Sequence, residues 1–233
     1  MSSLPSDILM YFRPGDKNDR KYSKREITGR KFNQLYGHKM FYKLLYENET
    51  HNGLRYETGL NVLLETETFN PTGECSKGGI YFADIYNIFC EYTMHHWIRR
   101  VTIPDDARVY VEDKKFKTDG IILGNRMLIK DMDEWNDDKM CEIIIRSNGD
   151  MVQYAKNKSY KLYKLAVESK GNALEHVLNQ TDELCKIAVQ KDGMALLYVK
   201  NKTKAICMLA CEENFHAKRY IRDEKILKEC EKY

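Results

Sequence analysis

Long apolar runs are missing from this chain of 233 residues. None approaches the roughly 18 residues that cross a bilayer, so no membrane span is expected. Met1 to Pro5 carries neither a basic flank nor an apolar stretch, and no secretory leader is expected there. An excess of one charge is also missing. Lys and Arg number 38 against 35 Asp and Glu, a net charge of +3 that argues against a dedicated nucleic-acid or membrane-surface binder. The seven cysteines include no C-x-x-C pair, and their odd number suits reduced thiols in a reducing compartment. There is no phosphate-cradling glycine loop, no nucleophile elbow and no Ser/His/Asp order. The chain is 42% hydrophobic and 31% charged, a balance that folds in water. A soluble intracellular protein of one or two domains is expected.

The strongest positive signal is a repeat. Ala166 to Val177 reads AVESKGNALEHV, Ala188 to Val199 reads AVQKDGMALLYV, and Ala210 to Ile221 reads ACEENFHAKRYI. The starts lie 22 residues apart, and Ile144 opens a fourth copy one step earlier. Gly149, Gly171 and Gly193 share a column, as do Met151, Ala173, Ala195 and Ala217. Asp137, Ser159, Thr181 and Thr203 fall at one phase and are suited to accept the free amides that open a helix. After each comes an i, i+3, i+4 apolar face such as Leu162, Leu165 and Ala166. The recurring glycine is expected to end that helix in the left-handed conformation, before a shorter second helix. A unit this short cannot bury its apolar face alone, so copies must stack. Phe215 in the glycine column and the charged segment 222–233 mark an end cap.

Two apparent sites dissolve in this period. Asn157-Lys158-Ser159, Asn179-Gln180-Thr181 and Asn201-Lys202-Thr203 match the N-glycosylation pattern but are one cap position repeated. His176 aligns with Tyr154, Tyr198 and Tyr220, which favours packing over base catalysis.

The first half has a different texture. Arg13 to Lys31 is strongly charged, and Arg20, Lys21, Lys24, Arg25, Arg30 and Lys31 are its candidate phosphate contacts. A solvated arm over 1–39 is the favoured reading. From Phe41 the chain turns to β-formers, with strands expected at 41–46, within 54–64, at 80–83, 100–103, 107–111, 121–123 and 127–129. Asp84 is expected to cap a principal helix with Ile85, Ile88, Phe89 and Tyr92 on one face. Cys75, Cys90, His95 and His96 do not make a convincing zinc set, because adjacent histidines point to different sides. Asp131, Asp133, Glu134, Asp137 and Asp138 read as an acidic helix start rather than a cation loop.

Two resemblances bear on function. The motifs His51-Asn52-Gly53-Leu54-Arg55-Tyr56, Thr58-Gly59-Leu60-Asn61, Phe69-Asn70-Pro71, Cys75, Gly78 to Phe82 and Val101 to Ala107 occur in that order. In that order they resemble a domain of giant DNA viruses of the mimivirus type, which often precedes ankyrin or other helical repeats. The 22-residue units resemble short alanine–glycine helical repeats rather than ankyrin units. Gly79 to Asp84 is also similar to a segment of poly-ADP-ribose polymerase-type ADP-ribosyltransferases. That likeness implies a nicotinamide-stacking role for Tyr81, with His51 and Glu112 as the nearest candidates for a ribose anchor and a catalytic carboxylate. Glu47 stands where the anchoring histidine should fall, and His51 comes four residues too late.

The expected fold is therefore an α+β domain over 40–135, a small mixed sheet plus one helix, followed by an all-α, solenoid-like helical-hairpin repeat over 136–233. The expected function is a non-catalytic protein–protein scaffold or adaptor binding a viral or host protein, without cofactor, metal or membrane. It would act in the host cytoplasm, at the viral factory or in the virion. Lys170, Asp192 and Asn214, an exposed column that varies between copies, are the expected partner contacts. An inactive NAD-binding domain at Tyr81 and nucleic-acid binding through residues 13–31 are the alternatives.

Overall fold

The computed structural model describes residues 21–72, 77–90 and 97–230. The chain divides into two compact units, Met1–Met132 and Asp133–Tyr233.

Among the described residues, eleven strands run through the first unit: β1 (Arg25–Thr28), β2 (Phe41–Leu45), β3 (Thr50–His51), β4 (Leu54–Arg55), β5 (Gly59–Val62) and β6 (Ile80–Asp84), then β7 (Trp97–Thr102), β8 (Arg108–Val111), β9 (Phe116–Thr118), β10 (Gly120–Leu123) and β11 (Met127–Leu128). Nine of them form one sheet in the order β1-β8-β9-β6-β2-β7-β10-β5, with β11 beside β7. Strands β3 and β4 form a separate pair. All pairings among the described residues are antiparallel.

Strands β9 and β10 are consecutive in the chain yet well separated in the sheet order, so the sheet curls until they meet at Asp119. That residue holds the corner. Its carboxylate accepts the Arg108 amide at 2.8 Å and the Arg108 guanidinium at 2.8 Å. Its carbonyl accepts the Leu63 amide at 3.0 Å.

The curled sheet encloses α1 (Gly29–Tyr36). Phe32 and Tyr36, one turn apart, enter a core with Phe41, Phe82, Phe116 and Val109. The Phe82 and Phe116 rings stack at 5.3 Å. Thr28 caps α1 by accepting the Lys31 amide at 3.2 Å. Gly29 is required at its start, because a Cβ there would stand 1.8 Å from the Pro104 carbonyl oxygen.

The strand pairings correct the expected fold class. The sheet is large and antiparallel rather than small and mixed, as short turns between successive strands allow. Asp84 accepts the Asn87 amide at 2.9 Å, and the described residues after β6 form a three-residue 3-10 turn, Asn87–Phe89, with Tyr92 outside the described residues. The helix that fills the core comes instead from the charged stretch assigned to the arm. Arg30 and Lys31 disguise it, while Phe32, Leu35 and Tyr36 carry its buried face.

The second unit repeats every 22 residues, with α2 (Asp138–Ser147), α3 (Tyr160–Ser169), α4 (Asp182–Lys191) and α5 (Lys204–Glu213). A shorter helix, α6 (Glu224–Cys230), closes the described part of the unit. Here too the expectation needs correction. The repeat is only partly α-helical, because the second half of each copy is a six-residue 3-10 stretch: Gly149–Tyr154, Gly171–His176, Gly193–Tyr198 and Phe215–Tyr220. Six residues give two tight turns and place the small residue and the Leu after it inward. Ala173, Leu174, Ala195 and Leu196 are all 0% exposed.

The caps fall at the phase their spacing predicts: Ser159, Thr181 and Thr203 each accept the amide three residues on, at 3.3–3.4 Å. The glycines do not act as left-handed helix ends. Among the described glycines only Gly53, Gly59 and Gly78 have positive φ. The repeat glycines are needed because the helix of the next copy passes against them.

Candidate functional site

Two regions gather the candidate residues, one in each unit. In the first, β6 carries Tyr81 and its neighbour in the sheet, β9, carries Lys117 directly opposite. Cross-strand partners share a face, and the Lys117 ammonium lies 5.1 Å from the centre of the Tyr81 ring. Gly79 makes room for the lysine stem, since a Cβ there would stand 2.4 Å from Lys117 Cε. Lys115 reaches the same ring, with its ammonium at 4.9 Å. From β2, Lys43 donates to the Tyr81 carbonyl at 3.0 Å and lies 4.5 Å from the centre of the Tyr56 ring. Burial holds the Lys43 amine down at about 7, well below an ordinary lysine.

His51 reaches this place on the β3–β4 hairpin, whose turn residues Asn52 and Gly53 have φ of 54° and 87°. Asn-Gly is the residue pair such a turn demands. The hairpin is anchored from below. Arg99, 4% exposed, donates to the Glu49 carboxylate at 2.7 and 2.9 Å, to Thr58 at 2.8 Å and to the Gly124 carbonyl at 2.6 Å.

His51, Tyr81, Lys43 and Lys115 line a hollow of about 190 Å³, with Lys117 outside the lining. Its charged and polar wall is His51, Tyr81, Lys43, Lys114 and Lys115; Leu44, Ala83 and Ile88 are the apolar wall. Tyr81 and His51 are thus brought together, but Glu112 does not join them in the lining. Its carboxylate lies on the turn after β8, 3.8 Å from the Lys115 ammonium. Among the described residues, no carboxylate lines the hollow. A cationic pyridinium stacked on Tyr81 would meet the ammonium groups of Lys115 and Lys117, an unfavourable juxtaposition. Sequence reasoning missed these lysines. The available signal is Lys43 itself, which sits in the alternation Phe41, Lys43, Leu45, where two core side chains flank it.

The remaining candidates of the first unit are dispersed. Arg20 lies outside the described residues, as do Cys75, His95 and His96. Lys21, Lys24 and Arg25 are exposed at or just before β1, with Lys24 in the left-handed region at φ 58°. Arg30 pairs with Asp105 at 3.3 Å, and Lys31 is half-buried on α1.

In the second unit, Lys170, Asp192 and Asn214 occupy the joint between each α-helix and its 3-10 stretch. Asp192 accepts the Met194 amide at 2.9 Å and the Asn172 side chain at 2.9 Å. Asn214 accepts the His216 amide at 3.0 Å. Lys170, exposed, pairs with Asp150. His176 is half-buried at the end of its 3-10 stretch.

Two exposed apolar side chains stand near the other joint, Leu178 just after the second 3-10 stretch and Leu197 within the third. Leu178 is 69% exposed and Leu197 is 49% exposed. Leu178 lines one hollow with Gln180, Asp182 and Lys200. Leu197 lines a larger one of about 590 Å³ with Lys200, Lys202, Arg219, Arg222 and Asp223. Four cations against one carboxylate make that second hollow electropositive.

Comparison with known proteins places the chain among viral sequences. It is 30% identical over 116 residues to the uncharacterized protein R869 of Acanthamoeba polyphaga mimivirus, covering 47% of this chain and 83% of that protein. The chain belongs to this mimivirus family. It is also 28% identical over 102 residues to the mimivirus protein named putative ankyrin repeat protein R868, covering 42% of this chain and 51% of that protein. The mimivirus protein named putative ankyrin repeat protein R896 is 27% identical over 132 residues, covering 48% of this chain and 39% of that protein. The chain thus spans about half the length of R868 and less of R896. No protein-family model matches the chain, and no solved structure does. The ankyrin name belongs to the relatives; the copies here recur at 22 residues, whereas ankyrin units take about 33.

Proposed function

We propose that this chain is a non-catalytic protein–protein interaction scaffold or adaptor of a giant virus, acting in the host cytoplasm, at the viral factory or in the virion. The reading rests above all on the electropositive hollow beside Leu197 and the neighbouring exposed Leu178. Large exposed apolar side chains grouped with cations suit an acidic partner segment that carries apolar anchors. Mimivirus relatives that bear the ankyrin name support a binding role in the same direction. Lys170, Asp192 and Asn214, at the joint between each α-helix and its 3-10 stretch, are a second proposed contact column, in which Lys170 is exposed and Asp192 and Asn214 also hold the turns.

The test is selection of peptides from a random displayed library on the full chain. Enrichment of acidic peptides containing Leu or Phe is expected, with affinity falling at least tenfold in the double variant Lys200→Glu, Arg219→Glu. Peptides without charge bias, or equal binding to the double variant, would overturn the reading.

A further inference from the structure

The hollow at Tyr81 takes no part in that binding role, and its chemistry points elsewhere. Three lysine side chains converge on one tyrosine: Lys43 on its carbonyl at 3.0 Å, Lys115 and Lys117 at 4.9 and 5.1 Å from its ring centre. Lys114 adds a further cation to the wall, and His51 lines it too. Lys117 is 0% exposed, so its charge has been taken from water. Glu112 lies against Lys115 at 3.8 Å but outside the lining. Concentrated, partly dehydrated positive charge favours an anion and disfavours a neutral or cationic guest. The other wall, Leu44, Ala83 and Ile88, is apolar and suits a flat hydrocarbon face.

Size narrows the class further. At about 190 Å³ the hollow is smaller than the roughly 300–1,000 Å³ of sites that enclose drug-sized ligands. It holds one ring with one anionic substituent, and a dinucleotide would extend well outside it.

We propose that the Tyr81 hollow is a binding site for a small aromatic anion, a single planar ring bearing a phosphate or carboxylate. The ring lies against the Leu44 and Ile88 wall, and the anionic group faces Lys114 and Lys115 at the mouth. Lys117 supplies positive potential from beneath.

The full chain is titrated by calorimetry with phenyl phosphate, with neutral benzamide and with inorganic phosphate. Phenyl phosphate is expected to bind at least tenfold more tightly than either of the other two, and to weaken as salt rises. The double variant Lys114→Gln, Lys115→Gln alters only the turn between β8 and β9 and is expected to lose at least fivefold, with an unchanged melting temperature. Benzamide binding as well as phenyl phosphate would remove the anion requirement, and inorganic phosphate doing so would remove the ring. Absence of phenyl phosphate binding to the folded chain, or unchanged binding by the double variant, would overturn the site altogether.

Discussion

The carbonyl oxygen of Ala188 lies 2.5 Å from the point where a Cβ on Gly171 would stand. Each glycine-bearing copy of the repeat makes this approach to the next, with Gly149 against Ala166 at 2.2 Å and Gly193 against Ala210 at 2.4 Å. Glycine and alanine columns are therefore two sides of one contact. Gly171→Ala is expected to destabilise the chain by about 1–3 kcal/mol, since a helix backbone cannot yield as a side chain does. Urea denaturation measures this. Phe215→Ala serves as a control, because that side chain is 41% exposed. Equal stability of Gly171→Ala and the parent would contradict the contact.

Gln180 ties successive copies together. Its amide nitrogen donates to the Tyr198 carbonyl at 2.9 Å, and its oxygen accepts the Lys200 amide at 2.9 Å. Gln180→Met keeps the volume but leaves both backbone groups without this partner. A loss of about 1–3 kcal/mol is expected. Amide hydrogen exchange at Lys200 should quicken first, and an unaltered rate there would argue against the tie.

Arg99 and Glu49 form the anchor beneath the hairpin that carries His51. Arg99→Met would leave the Glu49 carboxylate facing Arg126 at the longer distance of 3.8 Å. Removing one member of a buried pair costs about 3–5 kcal/mol. The Tyr56 amide, which donates to the Glu49 carbonyl at 2.9 Å, reports on the hairpin directly. Its exchange protection is expected to fall more than that of the β7 core. A uniform loss across the unit would instead mean general unfolding.

Lys43 makes stability depend on pH. Its folded-state value is about 7, against 10.5 in the unfolded chain. Between these values the unfolded chain binds a proton that the folded chain has released. Stability from this group is therefore present in full above about pH 10.5 and is lost as pH falls towards 7. Lys43→Met is expected to raise stability at pH 7 by about 1–3 kcal/mol and to flatten the profile between pH 7 and 10.5. Denaturation midpoints across that window decide it; a variant with the parent's slope would refute the assignment.

Thiol reactivity should separate cleanly. Burial pushes Cys141 up to about 11, with nearby Asp138 and Asp137 adding to the effect. Burial and a hydrogen bond with Cys230 push Cys211 up to about 12. Cys90, by contrast, is exposed. Among the described cysteines, iodoacetamide at pH 8 is expected to modify Cys90 first, as read by peptide mass spectrometry. Earlier modification of Cys141 or Cys211 would show that those helices open readily.

Much of the second unit is legible without coordinates. Hydroxyl or carboxylate caps, an apolar face and an alanine column each leave a residue-type signature, and a fixed period multiplies it. The 3-10 stretches read as short α-helices because six residues such as Gly193–Tyr198 satisfy either pattern. In the first unit the strands announce themselves by their β-branched and aromatic runs. Helix α1 does not, since Arg30 and Lys31 at its start outweigh two buried rings in any count of charge.

By itself, the sequence determined the 22-residue period, the positions of the caps and the columns that must be buried, because each depends on residues close together in the chain. Only the tertiary structure decided the strand order, the reason for the repeat glycines and the chemistry around Tyr81. Lys43, Tyr81 and Lys115 are separated by more than thirty positions each and carry no shared local pattern. Their meeting depends on the strand order, which sets β9, β6 and β2 side by side and sums many distant backbone pairings.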